Sequence, residues 1–227
     1  MNMGNKVIEF EGINYDIDVS YDEWPVCLRK DCDNLGIIAC SHSRYNLGDK
    51  QIESGEKADA EDKCYEKYGK LTTEGVFECL AEEYGAVAWL PLSLLDHSGL
   101  KMYAGVSHGW DIGPVGIIYT TKELLKKIGY HNSTNERIKE ILEEEVTLYS
   151  YGLEGQVYRF NIEWEDKDGE SQEDSCGSFY GPAKTSGMAE EIASVMGLYD
   201  RTTKSPYSLK KGDAEEIMKD LQRCDFW

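Results

Sequence analysis

The chain has 227 residues, 41% of them hydrophobic, with 24 Lys and Arg against 43 Asp and Glu. Five Trp, fifteen Tyr and five Phe are more aromatic side chain than a disordered tail carries, so the acidity must decorate the surface of something folded with a sizeable core. A net charge of −19 repels phosphate backbones, which discounts direct nucleic-acid binding through a basic patch and favours basic partners.

In chain order, Val7 to Phe10 and Ile13 to Val19 alternate apolar and polar residues around Glu11-Gly12, the pattern of a hairpin with one wet face. Leu35 to Cys40, Val87 to Leu95 and Val115 to Thr120 are short apolar runs bounded by Gly, Asp or Asn, expected as buried strands of one sheet. Between the first two, residues 50 to 85 interleave ten carboxylates with five Lys, and their apolar periodicity is poor. This reads as an acidic surface insertion, helical over Thr73 to Tyr84.

Thr121 to Ile128 and Thr134 to Leu148 have helical spacing, the second with Ile138, Ile141, Leu142 and Val146 on one side. Tyr158, Phe160, Ile162 and Trp164 alternate with more polar residues, and Asp168-Gly169 then turns the chain toward Ser171 to Cys176. Helices are expected over Ser186 to Met196 and Gly212 to Leu221. The prediction is a single α+β domain over 1–227, with helices packed on a mixed or mostly antiparallel sheet. The longest apolar stretch, about Ala86 to Leu95, is interrupted by Pro91 and falls short of the roughly 20 residues of a membrane span. Seven irregularly spaced cysteines and a start without a basic-then-apolar leader point to a reduced, cytoplasmic protein.

Candidate chemistry collects at the ends of the expected strands. His42, Arg44, Tyr45 and Asp49 follow the first, Asp96 and His97 the second, and His108, Trp110 and Asp111 precede the third. Histidine and carboxylate in several loops can hold a divalent cation that activates water, the reading of a metal-dependent hydrolase acting on nucleotides. The spacing forms no H-E-x-x-H or EF-hand pattern, and Asp at strand ends commonly bonds turn backbone, so neither a metal nor a catalytic residue is assigned. Arg44, Tyr45 and Trp110 would instead serve a pocket that sequesters a signalling nucleotide.

Cys27, Cys32, Cys40 and His42 lack the Cys-x2-Cys knuckle of a zinc site and read as ordinary thiols, and Cys176 as a core or edge cysteine. Asp111 to Gly116 precedes a strand and cannot present helix amides to a phosphate. No cofactor is expected.

The strongest global signal is carboxylate density. Glu163, Glu165, Asp166, Asp168, Glu170, Glu173 and Asp174 lie on one hairpin with a single base, Lys167, and the run Glu143-Glu144-Glu145 adds a second acidic surface. Such a run is either splayed in solvent or meets a basic partner, here a groove that normally holds nucleic acid.

Asp33-Asn34-Leu35-Gly36, His42 to Asp49, Leu90-Pro91-Leu92 with Asp96-His97-Ser98-Gly99, and Trp110 to Tyr119 form a set with Asp174-Ser175-Cys176 and Phe179-Tyr180-Gly181. Over about residues 25 to 181 this set resembles a family of bacteriophage and mobile-element proteins. The chain departs from it at Ser41 and Leu95, where aromatics are common, and at Ile112, where a small polar residue is usual. The resemblance implies a viral origin and a counter-defence role: a non-enzymatic inhibitor of anti-CRISPR or anti-restriction type that binds a basic host defence protein in the bacterial cytoplasm.

Overall fold

The computed structural model describes residues 2–200, 205–206, 217 and 219–221. Its elements are β1 (Asn2–Phe10), β2 (Ile13–Tyr21), α1 (Leu28–Asp31), β3 (Ile37–Cys40), β4 (Lys50–Gln51), α2 (Ser54–Tyr68), α3 (Thr73–Glu83), β5 (Ala86–Asp96) and β6 (Leu100–Ala104). They continue with β7 (Ile112–Thr121), α4 (Lys122–Ile128), α5 (Asn135–Leu153), β8 (Val157–Glu165), β9 (Ser171–Tyr180), α6 (Ala183–Ser186), α7 (Met188–Val195), β10 (Tyr199–Asp200) and β11 (Ser205–Pro206). The fold is α+β, with one antiparallel and one mixed main sheet. No described helix is long and apolar enough to cross a membrane.

Where the sequence suggests one domain, the chain divides into two compact units, Met1–Val26 with Gly155–Trp227 and Cys27–Glu154. The reason is that the apolar residues of the two parts bury themselves in separate cores.

The first unit is built on the antiparallel sheet β1-β2-β8-β9. Glu11 and Gly12, both at positive φ, make the two-residue turn that suits the twist of a hairpin. Ile17 lies opposite Ile162 and Val19 opposite Phe160, and these side chains meet Met188, Ala189, Ile192 and Ala193 of α7 in one core. The helix expected from Ser186 starts at Met188, because Gly187 at φ +83° ends the short α6 first. The helix expected over Gly212 to Leu221 lies largely outside the described residues.

The second unit is built on the sheet β4-β3-β7-β5-β6, in which only β3 and β4 are parallel. Successive residues of β3 and β7 serve opposite faces. Ile38 and Ile118 pack with Leu125 of α4 and Leu142 and Val146 of α5, while Ala39, Ile117 and Tyr119 pack with Phe77 and Leu80 of α3 and Cys64 of α2. Residues 50 to 85 are therefore not a surface insertion but one of the two covering layers. Their periodicity is weak because α2 buries only the small side chains of Ala60 and Cys64. Several of their acids are spent on ion pairs: Glu56 with Lys50, Glu83 with Lys63, and Glu78 and Glu82 with Lys67. Side-chain oxygens of Thr72, Thr121 and Thr134 cap α3, α4 and α5.

Candidate functional site

In the second unit β3 and β5 both run antiparallel to the intervening β7, so the ends of β3 and β5 and the start of β7 share one sheet edge. There a pocket of about 330 Å³ is lined by His42, Arg44, Leu94, Asp96, Trp110 and Asp111, among others. Arg44 forms an ion pair with Asp96, whose other oxygen accepts a hydrogen bond from the Tyr45 hydroxyl at 3.3 Å. The His42 and Tyr45 rings stack at 4.9 Å. His97 Nδ1 lies 2.8 Å from Asp111 Oδ2. Trp110 is 99% exposed and touches little of the protein. His108 is exposed and does not join the pocket lining.

This geometry limits the chemistry. Among the described residues no group of three or more His, Cys, Asp or Glu side chains is placed to hold a metal ion. The His97–Asp111 pair resembles the base and orienting carboxylate of a hydrolase, but no hydroxyl or thiol is bonded to that imidazole among the described residues. A nucleotide phosphate would meet two carboxylates and one arginine already paired with Asp96.

Asp49 belongs elsewhere. The Arg29 side chain, 9% exposed, bonds Asp49, Glu145 Oε2 at 2.8 Å, Asn34 Oδ1 at 3.0 Å and the Gly36 carbonyl at 2.6 Å. Asp49 accepts in turn from the backbone N–H of Ile38, and Glu145 from those of Leu35 and Gly36. Burial opposes the Arg29 charge, yet its bonds to Asp49 and Glu145 outweigh that and raise its pKa. Glu145 is thus turned inward, whereas Glu143 and Glu144 remain exposed on α5. Nearby, burial pushes the Cys40 thiol up to about 12, helped by Asp49, so it stays protonated and inert.

In the first unit the seven hairpin acids separate by position. Glu163 and Glu165 alternate with the core-facing Ile162 and Trp164, and Glu173 is paired with Glu163, so these three share the face away from the core. Asp16 of β2 lies opposite Glu163 on its other side. Glu173, Glu163 and Asp16 thereby form a carboxylate row across β9, β8 and β2, and all three are exposed.

Asp174, opposite Ile162, belongs to the helix-bearing side. Asp168 and Glu170 are exposed in the turn. Asp166 is a turn cap: its Oδ1 accepts from the backbone N–H of Asp168 and Glu170, both at 3.0 Å, and its Oδ2 from Gln172 at 2.8 Å. The Glu170 and Gln172 bonds hold its carboxyl below the usual range.

Trp24 is a feature that the apolar periodicities do not reveal. It is 90% exposed, on a loop fastened at both ends. Asp22 accepts from the N–H of Trp24 at 3.0 Å and of Ser178 at 2.8 Å, the Val26 N–H donates to Ser178 Oγ at 2.8 Å, and the Tyr180 hydroxyl donates to the Val26 carbonyl at 2.8 Å. Ser178, at φ +63°, sits where the β8–β9 register shifts, a bulge that turns both its polar groups to the loop. A Trp between Asp22-Glu23 and Pro25, just past an alternating strand, is the sequence signal for this display.

Compared with protein-family models, curated proteins and solved structures, the chain matches none.

Proposed function

We propose that this chain is a binding protein that lays the acidic sheet face of its first unit against the basic groove of a nucleic-acid-binding protein. The effectors of bacterial defence, CRISPR or restriction nucleases, are its intended partners, met in the host cytoplasm. The observation that carries this reading is the row Glu173, Glu163, Asp16. Carboxylates directly opposite one another across neighbouring strands repel, so the isolated fold bears a cost that a lysine- or arginine-lined groove relieves. Trp24 supports the same reading: its large side chain is exposed on a loop whose backbone is already fixed, so binding has no loop to order, the property of an interface anchor. The pocket in the second unit, with its arginine neutralised, favours neither phosphate capture nor hydrolysis.

The test is inhibition of DNA cleavage by a panel of purified Cas9-type and restriction nucleases. Inhibition of at least one is expected, competed by added nucleic acid and weakened by salt, since exposed charges are screened over about 8 Å at physiological ionic strength. The joint reversal Asp16→Lys, Glu163→Lys, Glu173→Lys should abolish it while circular dichroism stays unchanged. A reversed protein that inhibits as well as the native one, or a panel left wholly uninhibited, defeats the proposal.

A further inference from the structure

A second cavity in the 27–154 unit has no part in that reading. It encloses about 310 Å³ between α2, α3 and the edge of the sheet, at the low end of the roughly 300–1,000 Å³ of small-molecule pockets. Its apolar wall is made by Ile52, Val76, Phe77 and Leu80, all buried. Leu71, from the loop between α2 and α3, also lines it and is 57% exposed, so the apolar surface continues to solvent. The Thr72 hydroxyl, which accepts from the Gly75 N–H at 3.1 Å, helps to fix the shape of the wall.

The charged lining is one lysine and one glutamate. Lys57 and Glu61 stand one helical turn apart on α2, a spacing at which opposite charges commonly pair. Among the described residues neither has an ion-pair partner within 4 Å, whereas the other lysines of α2, Lys63 and Lys67, are paired with Glu83 and with Glu78 and Glu82. The two α2 charges that border the apolar cavity are therefore not engaged in ion pairs and are accessible to a ligand of either sign.

We propose that this cavity binds a small zwitterion with an apolar body, an α-amino acid with a large hydrophobic side chain. The side chain lies on Val76, Phe77 and Leu80, the carboxylate meets the Lys57 ammonium, and the ligand ammonium meets the Glu61 carboxylate. A cavity of roughly 150 Å³ already admits benzene, so 310 Å³ leaves room for a ring and both charged groups. A net-neutral ligand is also the one that a chain of charge −19 does not repel, as it would an anionic amphiphile. A cationic amphiphile would leave Lys57 unanswered.

The experiment is calorimetric titration of the full chain with L-phenylalanine, L-leucine and L-methionine, beside glycine, 3-phenylpropionate and phenethylamine. At least one of the three hydrophobic amino acids is expected to bind saturably at one per chain. L-phenylalanine should bind about tenfold more tightly than 3-phenylpropionate or phenethylamine, each of which lacks one charge-assisted bond, and glycine should not bind. Lys57 is exposed and Glu61 half-buried where they border the cavity, so Lys57→Met and Glu61→Gln should each weaken binding about tenfold while the helical circular dichroism is kept. Leu71→Asp, which leaves the buried wall untouched, should weaken it as well. Absence of saturable binding by all three amino acids overturns the proposal. So does equal binding of phenethylamine or phenylpropionate, or affinity indifferent to both Lys57→Met and Glu61→Gln.

Discussion

The sheet β1-β2-β8-β9 has helices on one face and carboxylates on the other, whereas β4-β3-β7-β5-β6 is covered by helices on both. The difference decides where each unit can carry chemistry. A sheet with one free face can display every second residue in register, and the first unit uses this for Glu173, Glu163 and Asp16. A sheet buried on both faces must spend its strand interiors on packing, so polar groups are pushed to the strand ends, where His42, Arg44, Asp96 and Asp111 meet. Charge is correspondingly handled in opposite ways. In the second unit Asp49 and Glu145 are drawn in and neutralised by Arg29, while in the first unit like charges stand side by side.

Removal of the buried cation should have the largest effect. Arg29→Ala strands the Asp49 and Glu145 carboxylates and should cost about 3–5 kcal/mol, read from urea denaturation. Hydrogen exchange should show lost protection over residues 27–154 and little change in β1, β2, β8 and β9. Phe160→Ala, at 1% exposure in the other core, should cost a similar 3–5 kcal/mol with the reverse pattern. Equal loss of protection in both sheets from either change would mean that the two units unfold as one body.

Legibility in the sequence follows the same division. Alternation marks both hairpins of the first unit, and short apolar runs mark β3, β5 and β7, because strand period and two-sided burial are local signals. Partnerships across the chain are not local. Glu145 stands i+4 from Ile141 and i+3 from Leu142, so helical spacing already sets it apart from Glu143 and Glu144, but its partner Arg29 lies 116 positions away and no local pattern names it. Asp49 looked like its neighbours His42 and Arg44 for the same reason. Asp16 was invisible as a member of the acidic row until the β2–β8 register placed it opposite Glu163. Within residues 50 to 85 the helix expected over Thr73 to Tyr84 is present as α3, whose Val76, Phe77 and Leu80 are buried, whereas α2 packs through small side chains that leave no apolar stripe to read, so the covering role of the segment is not legible.

Acid should act on the first unit through its turn. The Asp166 carboxyl is held below its ordinary value of 3.8 by the Glu170 backbone bond and by Gln172. A depressed folded pKa means that its contribution is complete above that ordinary value and is lost as pH falls through the folded one. The β8–β9 turn should therefore loosen below about pH 4, seen as lower protection, relative to the intrinsic rate at each pH, of the amides of Asp168 and Glu170. In Asp166→Ala the same amides should already be unprotected at neutral pH and lose little more in acid. An unchanged pH profile in that variant would assign the acid response to another carboxylate.

The smallest effect has the most telling sign. Glu163→Lys puts a cation between Glu173 and Asp16, so it should raise the stability of the isolated protein by roughly 0.2–1 kcal/mol, exchanging two repulsive cross-strand neighbours for attractive ones. The gain should shrink in high salt, because the three side chains are exposed and their interaction is screened. The same substitution should weaken inhibition of a basic effector, since it removes charge from the centre of the row. Stability and binding then move in opposite directions from one change at a position that buries nothing. If urea midpoints instead show no salt-dependent gain, the carboxylates are far enough apart to ignore one another, and the first unit's free face is simply a solvated surface. In that case the two sheets would differ in cover alone.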